Sequence, residues 1–167
     1  YYSQQMFNTD ATPSVSKPND VSDVKASTLV SYKSSVTAFD STKKVSIAET
    51  TLTVEAETAI RFYISDLNGV NANNLYLTYT VNGKTEQTKV KYSSTKGMYY
   101  GEIPNIGASK LSNMYTAYFT EGNTQVSDTV EYGAYSYIFE VIRYSSDDTL
   151  KNLARALYKY SVAAIAY

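Results

Sequence analysis

The chain contains no cysteine, no histidine and no tryptophan. Without cysteine there is no thiol nucleophile, no disulfide framework and no zinc site of the cysteine type. Without histidine there is no imidazole base, no Ser/His dyad and no histidine metal ligand. Most templates for nucleophilic and metal-assisted catalysis are thereby removed. A block of one charge sign is also missing: 15 Lys and Arg stand against 16 Asp and Glu, a net charge of -1, so neither nucleic acid nor an anionic membrane is expected as a partner. No run reaches the roughly 18 consecutive apolar residues of a membrane span, and no charged n-region followed by an apolar h-region marks a signal peptide. Because the chain opens on Tyr1-Tyr2-Ser3-Gln4 rather than Met, it is expected to derive from a longer protein whose signal lies elsewhere.

What the chain has in excess is tyrosine, 18 residues beside five phenylalanines. Together with abundant Thr, Ser, Asn and Val this is a β-rich composition, because aromatic and β-branched side chains suit a half-buried pleated surface. Packing with the hydroxyl reaching water accounts for most of these rings, and a few are available for a sugar platform. At 167 residues the chain is most simply one domain able to bury an ordinary core without staples.

Residues 1–26 read as a short aromatic, Gln-containing tail of a helix (Tyr1 to Phe7) and a linker collecting Asn, Thr, Asp, Pro13 and Pro18. From residue 27 to 132 the pattern is strands: Ser27 to Phe39, Lys44 to Val54 and Ala59 to Ile64, the last with Ile60, Phe62 and Ile64 on one face and Arg61 outward. Asp66 to Asn74 offers five oxygen side chains, but an EF-hand loop would need a bidentate Glu at its twelfth position, here Leu77. Left-handed Asn and Gly turns are the better account, and no metal or other cofactor is expected.

Leu75 to Val81 then alternates, Asn82-Gly83 is a strong hairpin signal, and Lys84 to Tyr92 returns. Gly97 to Pro104, Met114 to Glu121 and Gln125 to Tyr132 complete about eight strands at spacings typical of an immunoglobulin-like antiparallel β-sandwich, without the Cys and Trp hallmarks of antibody domains. Ala134 to Tyr144 alternates but also has helical spacing through Tyr135, Ile138, Phe139 and Ile142; helix is preferred, which gives a helical pair over residues 133–167 packed on the same domain.

The last stretch is the clearest helix. Leu150, Leu153, Leu157, Tyr160, Ala164 and Tyr167 recur at spacings of three and four, predicting one buried stripe, with Lys151, Arg155 and Lys159 opposite. Ser145 or Ser146 supplies the expected cap, and Asp147 and Asp148 place negative charge in the first turn.

That ending, Leu150-Lys151-Asn152-Leu153-Ala154-Arg155-Ala156-Leu157-Tyr158-Lys159-Tyr160 with Ala163-Ala164-Ile165-Ala166-Tyr167, and the preceding Tyr135-Ser136-Tyr137-Ile138, resemble the terminal helical pair of strand-rich modules in large secreted and cell-surface proteins of gut clostridia and ruminococci. The resemblance covers roughly residues 27–167 and departs from the usual pattern at Ser161 and Val162, where Gly-Ala is usual. It implies an extracellular or cell-surface location, with neighbouring modules of the same chain as partners, and it carries over no catalytic residue.

Two functions of different class follow. One is a non-catalytic structural or adhesive module. The other is a carbohydrate-binding module for a plant polysaccharide such as starch or another glucan, in which Tyr rings stack on sugar faces and amides take hydroxyl hydrogen bonds. Its candidate ligand-binding residues are Tyr92, Tyr99 and Tyr100, beside the Ser93 to Gly97 turn; packing beneath that turn is the competing account of the same rings. A glycosidase needs only two carboxylates, but no pair stands out.

Overall fold

A computed structural model describes residues 22–39, 43–54 and 57–167. The helical tail expected for Tyr1 to Phe7, and most of the expected linker, lie outside the described residues. Ten strands and two α-helices are present among them: Ser35–Thr37 (β1), Ile47–Val54 (β2), Thr58–Ile64 (β3), Leu75–Val81 (β4), Lys84–Lys89 (β5), Lys91–Ser93 (β6), Met98–Ile103 (β7), Tyr115–Glu121 (β8), Thr124–Gln125 (β9), Thr129–Tyr132 (β10), Ala134–Tyr144 (α1) and Asp148–Ala166 (α2).

The strands form two sheets, in the orders β1-β10-β8-β4-β5, with β9 added to β8, and β2-β3-β7-β6. Every pairing is antiparallel. The second sheet has the A-B-E-D order and the first the G-F-C order of an immunoglobulin-like sandwich, extended by β5 beyond C and by β1 beside G. The chain is therefore a mainly-β sandwich followed by a helical pair.

Alternation explains the core. Ile60, Phe62 and Ile64 of β3, with Leu52 and Ile103, face Leu75, Leu77, Tyr79, Tyr115, Ala117 and Phe119 of the first sheet, all buried. Phe62 meets Tyr132 edge-on, with ring centroids 6.1 Å apart, a contact between sheets that favours T-shaped geometry. The β4–β5 turn follows its sequence signal: Asn82 and Gly83 both have positive φ, 52° and 77°, as a tight hairpin turn matching the strand twist requires.

Three of the expected strands need correction. The strand over Ser27 to Phe39 is confined to Ser35–Thr37. Two 3₁₀ turns, Ala26–Thr28 and Val30–Tyr32, precede it and fold the chain around Leu29, a single buried anchor, while Val36 stays exposed. The return strand Lys84 to Tyr92 breaks at Val90: β5 pairs with β4 in one sheet and β6 with β7 in the other, while the buried Val90 donates its N–H to the Leu75 carbonyl at 3.1 Å. Gln125 to Tyr132 likewise divides, because Val126 and Ser127 turn into the core. There the Val126 carbonyl accepts the Lys44 and Val45 amides at 2.7 and 3.0 Å.

The helices seal one end of the sandwich. Helix α1 buries Tyr135, Ile138, Phe139, Val141 and Ile142. Tyr135 packs edge-on against Tyr32 and Tyr158, at 4.9 and 5.1 Å. Helix α2 is capped by Asp147, not by a serine: its Oδ1 accepts the Thr149 and Leu150 amides at 3.0 and 3.1 Å.

The buried face of α2 is Ala154, Leu157 and Ser161, so the expected stripe is turned aside. Leu157 belongs to the core, but Leu153 is 37 % and Tyr160 41 % exposed, and Tyr167 projects into solvent. The reason is polar. Ser161 Oγ lies 2.9 Å from the Tyr135 hydroxyl and donates to the Ala108 carbonyl at 3.0 Å, which fixes the rotation of the helix. On the flank carrying Arg155 and Lys159, Arg155 donates to the Val24 carbonyl at 2.7 Å and Lys159 pairs with Asp23 at 2.9 Å. Val24 is buried in the core, so packing begins within the segment expected to be linker.

Candidate functional site

Strand register decides where the three candidate tyrosines go. Tyr100 in β7 lies opposite Tyr63 of β3 and Lys91 of β6, while Tyr99 lies opposite Tyr92. Successive strand residues point to opposite faces, so Tyr100 is on the outer face of the second sheet and Tyr99 on its core-facing side.

The outer face is closed by ions. Tyr63 and Tyr100, with ring centroids 5.4 Å apart, are 3 % and 9 % exposed. Arg61 lies 4.6 Å over the Tyr100 ring and its Nε donates to Glu102 Oε2 at 2.8 Å. Lys96 reaches back from the β6–β7 turn to lie 5.1 Å over the Tyr63 ring, donating to Glu49 Oε2 at 2.7 Å. The Glu49 hydrogen bond holds the Lys96 ammonium above the usual lysine range. Each ring thus carries a cation that a carboxylate anchors.

The other two rings meet. Tyr92 and Tyr99 have centroids 4.9 Å apart at 65°; Tyr92 is 56 % exposed and Tyr99 half-buried against the core. The structure brings Tyr92 and Tyr99 together, edge to face, and places Tyr100 on the opposite side of the sheet.

A second feature lies where the sheets part. On the side of β5 and β6 the sandwich is closed by the strand crossing at Val90 and by Thr88 Oγ1 donating to the Glu102 carbonyl at 2.9 Å. On the other side, β1 and β2 end their sheets, and a groove of about 320 Å³ opens between them, reaching Tyr132 and Glu140 of α1. Glu140 accepts hydrogen bonds from the Tyr132 hydroxyl at 3.3 Å and from Ser34 Oγ at 3.4 Å. Burial pushes its carboxyl above the usual range despite those two donors. Burial, with the Glu140 charge beside it, also pushes the Tyr132 hydroxyl up.

Asp128, on the same groove, goes the other way: the Lys43 ammonium at 2.9 Å and the Phe39 amide at 2.8 Å hold it below the usual carboxylate range.

No family model, curated protein or solved structure matches the chain.

One carboxyl shifted up and another shifted down on the same groove invite comparison with acid–base pairs. Here, however, each Asp128 oxygen already accepts a hydrogen bond. Among the described residues no group of three or more metal-ligating side chains is placed to hold an ion, no buried side-chain polar atom lacks a partner, and no helix is long and apolar enough to cross a membrane. Asn68 at φ 49° accounts for the oxygen-rich loop: Asp66 Oδ1 accepts the Asn68 amide and Asn71 Oδ1 the Asn73 amide, both at 2.9 Å.

Sequence reasoning singled out neither Glu140 nor Asp128. The one signal for Glu140 was a lone carboxylate in a mostly apolar and aromatic helix whose only other charge is Arg143.

Proposed function

We propose that this domain is a non-catalytic structural and adhesive module of a secreted or cell-surface multimodular protein. The observation that carries the reading is the capped aromatic face. Tyr100 and Tyr63, neighbouring rings on the outer sheet face, lie beneath Arg61 and Lys96 respectively, and these cations are anchored by Glu102 and Glu49. Cross-strand pairs of this kind stiffen a sheet and withhold the ring faces from a sugar. The likeness of the helical ending to that of modules in gut clostridial and ruminococcal surface proteins supports the same reading, and so does the engagement of both Asp128 oxygens.

The test is isothermal titration of the purified domain against starch, xylan and β-glucan oligosaccharides at millimolar concentration. The expected result is no heat beyond dilution across the panel. The second reading, a carbohydrate-binding module, draws on the exposed Tyr92 ring beside Tyr99. Under it, binding is measurable and Tyr92→Ala or Tyr99→Ala removes about 1–3 kcal/mol of affinity, the scale of burying one such side chain.

A further inference from the structure

The four strands that end the two sheets are not alike. Strand β1 and strand β6 have three residues each, and β5 carries Lys84, Glu86 and Lys89; short length and edge charges are the usual guards against unwanted strand addition. Strand β2 has eight residues, Ile-Ala-Glu-Thr-Thr-Leu-Thr-Val, with one charge and no proline. A bulge between Ile47 and Glu49 disturbs only its start, and Glu49 to Val54 stay in regular register with β3. Among the described residues no strand but β3 pairs with β2, so about 20 Å of its outer edge carries backbone donors and acceptors with no ladder partner there.

The first residues of this edge wall the groove that holds Glu140. Of the groove's carboxylates, Asp128 is paired with Lys43 and Glu49 with Lys96. Among the described residues, Glu140 is met by two neutral hydroxyls and by no cation. Tyr132, the groove's aromatic residue, is 2 % exposed, so no ring face is open for a sugar to stack on.

We propose that the β2 edge and its groove form a peptide-binding site that accepts an extended strand, antiparallel or parallel to β2, with a lysine or arginine directed at Glu140. Main-chain hydrogen bonds along β2 give the affinity, as in other cases of strand addition, and the half-buried Glu140 carboxylate gives the preference for a basic residue. The site is independent of whether the domain also serves as a spacer, and it is separate from the Tyr92–Tyr99 pair.

The test titrates the ¹⁵N-labelled full chain, followed by amide chemical shifts, with three capped nine-residue peptides. The first alternates valine and threonine around a central lysine. In the second norleucine replaces the lysine, and in the third prolines replace alternate residues so that no ladder can form.

The expected result is that the first peptide shifts the amides of 47–54, the norleucine peptide binds about tenfold more weakly or worse, the difference a hydrogen-bonded charge makes, and the proline peptide is silent. Glu140→Gln should abolish the preference for lysine over norleucine. Silence of the β2 amides with the first peptide at millimolar concentration overturns the proposal. Equal binding of all three peptides, or oligosaccharides shifting the groove amides in their place, does the same. The norleucine peptide asks the question of Glu140 without altering the protein.

Discussion

Gly101→Ala is the sharpest test of how the two sheets meet. Gly101 sits in β7 opposite Phe62, and a Cβ built there would stand 2.5 Å from Leu77 Cβ and 3.0 Å from Phe119 Cε1. Non-bonded carbons pack at about 3.5–4.0 Å, so the sheets must part locally by about 1 Å. No rotamer change relieves the contact, because Leu77 Cβ is fixed to its backbone, and a gap of that size forfeits a quarter to a half of the local dispersion attraction.

Overpacking of a filled core costs typically about 1–3 kcal/mol, and the upper end is expected for a clash that only backbone movement can absorb. Gly107→Ala is the control. That residue has an ordinary φ of -71° with nothing within 4 Å of the added carbon, so the same chemical change should be neutral or stabilise by about 0.4–1 kcal/mol through the unfolded chain. Urea melts followed by circular dichroism, with unchanged slopes, give both numbers. A Gly101→Ala loss below about 1 kcal/mol, or a similar loss for Gly107→Ala, would refute the close approach.

Leu157→Ala should cost about 2–5 kcal/mol as a core truncation, whereas Leu153→Ala, at a site 37 % exposed, should cost about 1 kcal/mol or less; equal losses in denaturant melts would restore the stripe expected from sequence. For Glu140 the folded carboxyl is raised, so its contribution is fully present below the ordinary glutamate range and is lost as pH rises through the folded value. Glu140→Gln should therefore gain on the parent chain toward neutral pH in melting temperature against pH. Asp128 is lowered, and its contribution, present above the ordinary aspartate range, is lost as pH falls through its folded value; Asp128→Asn should flatten the acid limb of the same curve. Chelator should leave the melting temperature unchanged, since Asp66 and Asn71 are engaged in local turns, and a large drop would show that the loop holds an ion.

The parts of the fold legible in the sequence are those set by local chemistry. Asn82-Gly83 can adopt the two positive φ values of its turn, and Ala134 to Tyr144 forms the preferred helix over those residues. What was not legible depends on which surface a face meets. Periodicity finds the apolar side of α2 but not its rotation, which Ser161, beside Leu157 on the buried face, sets by binding Tyr135 and the Ala108 carbonyl. Alternation through Lys84 to Tyr92 is compatible with one strand or with two in different sheets, because both put every second residue on one side. Of the candidate site, nearness to the Ser93 to Gly97 turn grouped Tyr92, Tyr99 and Tyr100, but adjacency in a strand puts Tyr99 and Tyr100 on opposite faces. Glu140 gave no periodic signal: its role comes from two edge strands more than 80 residues away in sequence parting beside it.

The crossing at Val90 has a mechanical meaning. Six residues before it are knit into one sheet and three after it into the other, with a single residue between and no slack to absorb displacement. A pull that slides one sheet over the other is carried by that covalent hinge and by the ladders on either side of it, so neither layer can yield first. Amide exchange in β4 and in β7 should then be governed by one common opening rather than two.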